Sequence, residues 1–217
     1  MRIKICGIRN EQDMNVAVNA GADAVGFLVG QLHASRDFIL PGTAARLVRM
    51  LPPFVTPVLV THFTDPAEVF DLVIRTGITT VQLHGGSAPE EVAALRDMLP
   101  PAGKIILAVH LQNEEDFVAT KDYYRMVDAF LIDSIDVDAG KVGGTGCTND
   151  WQLARKFVEM TPYPVFLAGG LYAENVADAI RTVRPFAVDA NSRLKDENGN
   201  EDPEKCTAFV QAAQGAL

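Results

Sequence analysis

Short apolar runs alternate along the chain with longer segments whose apolar residues recur at helical spacing. The runs predict strands at Ile3–Cys6, Ala24–Val29, Val55–His62, Thr80–Leu83, Ile105–His110, Ala129–Asp133, Val165–Ala168 and Ala187–Asp189. The amphipathic segments predict helices at Glu11–Ala20, Pro41–Leu51, Pro66–Thr76, Pro89–Leu99, Glu114–Met126, Asp150–Met160, Glu174–Val183 and Pro203–Ala216. Gly21 and Gly77 fall where helices should end, and Asn10, Ser87 and Asn113 are placed as N-caps. Strands separated by helices pair in parallel and are buried on both faces. Eight such units in steps of about 27 residues predict an α/β fold, a single (β/α)8 TIM barrel forming one domain over residues 1–217. An open doubly wound sheet usually carries a Gly-x-Gly-x-x-Gly turn after its first strand, and Cys6-Gly7-Ile8-Arg9-Asn10 is not one. The segment Lys195–Asp202 reads as a solvated acidic loop.

Composition narrows the partners. A net charge of −9 argues against nucleic acid or an anionic membrane. No apolar run reaches membrane-spanning length, and the first residues lack the apolar stretch of a signal peptide. The three cysteines, Cys6, Cys147 and Cys206, suit neither a disulfide framework nor a zinc site. The expectation is a reduced, cytoplasmic protein, monomer or homodimer, with a small-molecule partner and no metal.

Three small turns suggest what that partner carries. Gly143-Gly144-Thr145-Gly146, Gly169-Gly170 and Asn191-Ser192-Arg193 each follow or separate apolar runs. Glycine lets backbone N–H groups approach an anion closely, and a helix starting nearby adds its positive end. Converging, such turns would cradle a phosphate. In a barrel of this kind the active site is built at the C-terminal ends of the strands. The polar residues there are Cys6, Arg36, Gln82, His84, His110, Asp133 and Asp189, with Lys4 two positions before Cys6 on the same strand face. Cys6 reads either as a small buried residue or, beside a cation such as Lys4, as a thiolate. Asp133 reads either as a loop cap or as a general acid with a raised pKa. Arg36 is either a solvated charge or a bidentate clamp for a carboxylate.

Taken in order, several motifs resemble one family. Lys4-Ile5-Cys6-Gly7-Ile8, Gly21-Ala22-Asp23-Ala24-Val25-Gly26-Phe27, Pro52-Pro53-Phe54-Val55 and Val81-Gln82-Leu83-His84-Gly85 are four of them. Leu131-Ile132-Asp133, Gly143-Gly144-Thr145-Gly146, Asp150-Trp151, Ala168-Gly169-Gly170-Leu171, Glu174-Asn175-Val176 and Arg184-Pro185-Phe186-Ala187-Val188-Asp189 continue the set. Together they resemble the phosphoribosylanthranilate isomerases of tryptophan biosynthesis. The resemblance implies a (β/α)8 barrel that performs an Amadori rearrangement with no cofactor. It implies Cys6 as general base, Asp133 as general acid, Arg36 at the anthranilate carboxylate and the three turns as the phosphate site. Lys4, Gln82 and His84 are further candidate substrate contacts. A depressed thiol pKa and a raised carboxyl pKa would separate the two catalytic roles.

The chain also departs from the family pattern. Arg193 stands where the last phosphate turn commonly has glycine, and the loop Val29–Arg36 lacks the usual aromatic and Ser-Pro-Arg. Strand three ends in Thr61-His62-Phe63 where the family usually has apolar residues and asparagine, Leu107 lies where many members have a basic residue, and His110 adds another mouth histidine. Two alternatives stay open: a paralogue acting on another phosphorylated sugar or aminosugar, and a non-catalytic phosphate-ligand binder.

Overall fold

The alternation of side chains along each strand divides the core of the protein in two. A computed structural model describes residues 1–133, 135–136, 141–142 and 150–216. Eight parallel strands close a barrel: β1 (Arg2–Cys6), β2 (Ala24–Leu28), β3 (Thr56–Thr61), β4 (Thr80–Leu83), β5 (Lys104–Val109), β6 (Ala129–Ile132), β9 (Val165–Leu167) and β10 (Ala187–Ala190). Around the barrel they run β1-β10-β9-β6-β5-β4-β3-β2. Odd positions of β1, Ile3 and Ile5, join a large cluster between strands and helices with Val25, Phe27, Leu59 and Phe130. Cys6 instead points inward, with Val58, Val60, Ile106, Ala108, Leu131 and Ala168. Each buried Val, Leu, Ile or Phe contributes about 1.5–3 kcal/mol relative to exposure, so the two clusters together hold the barrel shut.

The helices are α1 (Glu11–Ala20), α2 (Pro41–Val48), α3 (Pro66–Thr76), α4 (Pro89–Met98), α5 (Asp116–Ala119), α6 (Trp151–Met160), α7 (Ala173–Val183) and α8 (Pro203–Gln214). Local chemistry fixes most ends. Asn10 accepts the Asp13 N–H at 2.9 Å, while Asp65, Asp150 and Asp202 cap α3, α6 and α8. No described helix is long and apolar enough to cross a membrane.

The local structure adds to or departs from the sequence reading at five points. The fifth helix stops after Ala119 and tightens into a 3₁₀ turn, Thr120–Tyr123, rather than reaching Met126. Thr120 Oγ1 donates back to the Phe117 carbonyl, and Arg125 adopts φ 71° with its N–H on the Tyr163 hydroxyl. Tertiary anchoring by Tyr163 therefore ends the helix that the periodicity would continue. Ser87 is not the cap of α4; Glu91 accepts the Ala88 N–H instead. A small antiparallel pair, β7 (Ile135–Asp136) and β8 (Lys141–Val142), follows β6. Finally, Lys195–Asp202 is not wholly solvated: Lys195 and Glu201 are buried and paired at 2.7 Å. Leu107, moreover, belongs to the outer cluster and not to the mouth.

One polar cluster pins α4 against β5 and β6. Arg96 donates to the carbonyls of Met126 and Gly103, both at 2.9 Å, and pairs with Asp128. Burial pushes the Asp128 carboxyl up, but the Ile105 N–H, Lys104 and Arg96 hold it below its ordinary 3.8. A depressed folded pKa contributes stability above the unfolded value that is lost as pH falls through the folded one. Asp128→Ala is expected to cost about 1–2 kcal/mol at neutral pH after solvent screening. Urea unfolding should show the gap to wild type shrinking below about pH 4, and an unchanged gap there contradicts the assignment.

Candidate active site

Strand ends and their loops surround a cavity of about 640 Å³ at the C-terminal mouth of the barrel. Cys6, Gln82, His84, Asp133, Gly169, Gly170, Asn191, Ser192 and Arg193 line it together. The sequence places these residues on five different strand–loop junctions; parallel closure brings them to one end. Lys4 lies one layer deeper. Arg36 is exposed and stands outside the lining, although its neighbours Ser35 and Asp37 are part of it. The turn Gly143, Gly144, Thr145 and Gly146 lies outside the described residues, as does Cys147.

The deepest contact is ionic. Lys4 Nζ meets Asp189 Oδ2 at 2.7 Å, and both side chains are almost wholly buried. Their strands pair in register at these positions, so the sheet itself aligns the two charges. Burial alone would lower the Lys4 pKa, but the Asp189 carboxylate keeps the ammonium charged and raises it. Burial raises the Asp189 carboxyl too, with Lys4 pulling against it. Opposite Cys6 in the register is Gly26. An added Cβ there would lie 2.5 Å from Cys6 Sγ and 3.2 Å from Lys4 Nζ, so glycine is required for thiol and ammonium to share the space.

Lys4 does not make Cys6 a ready thiolate. Burial pushes the Cys6 thiol up to about 12; Lys4 offsets this only in part, and Asp189 adds to it. The depressed thiol expected from the sequence is thus reversed, because burial outweighs the pull of Lys4 and the Asp189 carboxylate works against it.

Across the mouth, Gln82 Nε2 lies 3.0 Å from His84 Nδ1. An amide nitrogen has only hydrogens to offer, so Nδ1 accepts and the ring proton sits on Nε2. That Nε2 faces Asp133 Oδ2 at 3.2 Å. His110 Nδ1 lies 3.3 Å from the Asp133 carbonyl oxygen. Burial lowers the His110 pKa, and it holds His62 at about 4, with His84 and His33 adding to the effect.

Two of the small turns singled out in the sequence fall among the described residues, after β9 and after β10. Gly169 and Gly170 take φ 87° and 64°, a left-handed pair that non-glycine residues seldom adopt. Asn175 fixes this turn from the first turn of α7, donating to the Gly170 carbonyl and accepting the Tyr172 N–H. Asn191 leads into a 3₁₀ turn, Ser192–Leu194, and the Arg193 guanidinium lies 5.5 Å from the Tyr172 ring centre.

Sequence reasoning did not single out Asp37 or Lys195. Asp37 accepts from Asn191 Nδ2 at 3.0 Å, and Lys195 Nζ reaches Asp37, Glu201 and the Gly7 carbonyl. Burial pushes Glu201 up to about 7 against the pull of Lys195. The available signal was position: Asp37 adjoins Arg36, and Lys195 follows the Asn191-Ser192-Arg193 turn by two residues.

Among the described residues, five cavity-lining residues each carry a buried side-chain polar atom without a hydrogen-bond partner: Gln31, His62, Gln82, Asp189 and Asn191. Buried polar groups are normally satisfied, so this concentration marks a site shaped for a polar ligand. The described residues hold no cluster of His, Cys, Asp or Glu suited to a metal.

Comparison with known proteins agrees with this architecture. Residues 3–212 match the family described as N-(5'-phosphoribosyl)anthranilate (PRA) isomerase. N-(5'-phosphoribosyl)anthranilate isomerase 2 of Methanosarcina mazei is 45% identical over 214 residues, covering 99% of this chain and 94% of that protein. The crystal structure of phosphoribosyl anthranilate isomerase from Thermus thermophilus superposes with a TM-score of 0.85 at 31% identity, covering 100% of both chains. A further isomerase structure, in complex with reduced 1-(o-carboxyphenylamino)-1-deoxyribulose 5-phosphate, has a TM-score of 0.82 at 33% identity over 99% of both chains. The chain belongs to the N-(5'-phosphoribosyl)anthranilate isomerase family.

Proposed function

We propose that the protein converts N-(5'-phosphoribosyl)anthranilate to 1-(2-carboxyphenylamino)-1-deoxyribulose 5-phosphate in tryptophan biosynthesis, with Asp133 as general acid and Cys6 as general base. The observation that carries this assignment is the single cavity shared by Cys6, Asp133 and the two described phosphate-type turns. Asp133 gives a proton to the furanose ring oxygen as the C1'–O bond breaks, and the anilino nitrogen lone pair forms the iminium. The iminium acidifies the C2' hydrogen. Once the Cys6 thiol has given its own proton to solvent on substrate binding, the thiolate takes the C2' proton, the C–H electrons form the C1'=C2' bond, and the iminium is neutralised. The enolamine tautomerises to the ketone.

His84 supports the acid by holding Asp133 Oδ2, and Gln82 fixes the tautomer that lets it do so. The high Cys6 pKa fits a base that acts only once the cationic iminium is beside it. Gly169, Gly170, Asn191, Ser192 and Arg193 hold the phosphate, together with the Gly143–Gly146 turn. Asp189 fixes the Lys4 ammonium beside the thiol while offsetting much of its charge. For Arg36 to meet the anthranilate carboxylate, its exposed side chain must turn inward over Ser35 and Asp37. We place the enzyme in the cytoplasm, as one barrel domain spanning residues 1–217.

Two outcomes check the roles. Cys6→Ser and Asp133→Asn should each lower kcat by about 10²–10⁴-fold in a fluorescence assay of substrate consumption, with KM changing less. Unchanged turnover in either variant removes that residue from the mechanism. In the free enzyme, the rate of Cys6 alkylation by iodoacetamide should climb with pH from about 7 to about 10 with no plateau. A plateau near neutrality would mean that Lys4 does hold a thiolate.

A further inference from the structure

The four histidines of the chain stand in a row across the mouth. Ring centres of His33 and His62 are 5.8 Å apart, those of His62 and His84 5.8 Å, and those of His84 and His110 6.0 Å. They come from four successive strand–loop junctions, β2 to β5. In the closed order this arc lies across the barrel from β9 and β10, which carry the described phosphate-type turns. A ligand with its phosphate on those turns and its reacting carbons between Cys6 and Asp133 therefore extends its other end toward β3 and β4.

The cation-capable groups at the mouth are unequally committed. Lys4 is held by Asp189, Lys195 by Asp37 and Glu201, and His84 by Asp133. Arg193 lies on the phosphate side, and Arg36 is outside the lining. Neither His33 nor His62 pairs with a carboxylate among the described residues, and both line the cavity. His62 Nδ1 is buried without a hydrogen-bond partner. A buried ring nitrogen left open in this way is satisfied at once by an anion, which selects the tautomer that donates to it. The tilted stack of imidazole faces offers an aromatic ring a matching surface.

We propose that His62 and His33 form, beside an inward-turned Arg36, the subsite that recognises the aryl carboxylate of the substrate. The assignment rests on the isomerase reading above and concerns specificity, since neither ring touches the reacting carbons. His62 Nδ1 donates to the carboxylate, and His33 closes over the aryl ring from the loop after β2.

Calorimetry with two stable ligands tests it: reduced 1-(2-carboxyphenylamino)-1-deoxyribulose 5-phosphate and the same molecule without its carboxylate. Wild type should prefer the carboxylated ligand, and His62→Leu and His62→Asn should each shrink that preference by about tenfold, the scale of one hydrogen bond to a charged group. His33→Leu should shrink it less. Ribose 5-phosphate should bind all variants as it binds wild type, showing that the phosphate end is intact. Equal wild-type affinity for the two ligands overturns the subsite, and so does a full preference kept in both His62 variants. Failure of wild type to bind either ligand overturns the isomerase reading itself, and the subsite with it.

Discussion

The ion pair between Lys4 and Asp189 joins the first and last strands of the barrel, with both charges out of water. Charges removed from water are costly unless paired, and breaking such a pair by deleting one partner costs about 3–5 kcal/mol. That constraint propagates outward. The register of β1 against β10 must place the two residues side by side, and Gly26 must leave room for them. Cys6, next along the inward face of β1, then meets a cation whose field is already largely cancelled. Its thiol stays protonated in the empty site. Burial and committed charge thus decide the state of the thiol more than the mere presence of a neighbouring lysine does.

The barrel itself was legible because its physics is periodic. Apolar runs between amphipathic helices, with capping residues at Asn10 and glycines at Gly21 and Gly77, allow few other solutions. What escaped was decided by single distant contacts. Nothing near Tyr124 says that the Tyr163 hydroxyl will capture the Arg125 N–H and stop a helix. Nothing in a run of acids and amides says that Lys195 will turn inward to collect Asp37, Glu201 and the Gly7 carbonyl.

The site was legible in kind but less so in arrangement. Strand ends announce Cys6, Gln82, His84 and Asp133, because in a parallel barrel those positions converge whatever the loops do. The charge balance at the mouth is another matter: it depends on which carboxylate takes which cation. Asp189 takes Lys4 and Asp133 takes His84, and among the described residues no carboxylate takes the imidazoles of His33 and His62 on the wall formed by β2 and β3. Loops carry the rest. The loop after β2 places Asp37 against Asn191, so that the turn after β10 and the loop bearing Arg36 lean on each other.

Lys4 and Asp189 are separated by 185 positions in the chain. Contacts between distant segments form late, since a long loop must close before they offer any return. During synthesis, β1 emerges early with a hydrogen-bonding edge that has no lasting neighbour on one side until β10 arrives. An N-terminal fragment ending before β10 would therefore carry an unpaired lysine, an open strand edge and an apolar barrel interior. The last strand is consequently a checkpoint of assembly: its docking neutralises the interior, removes the sticky edge and completes the active site in one event.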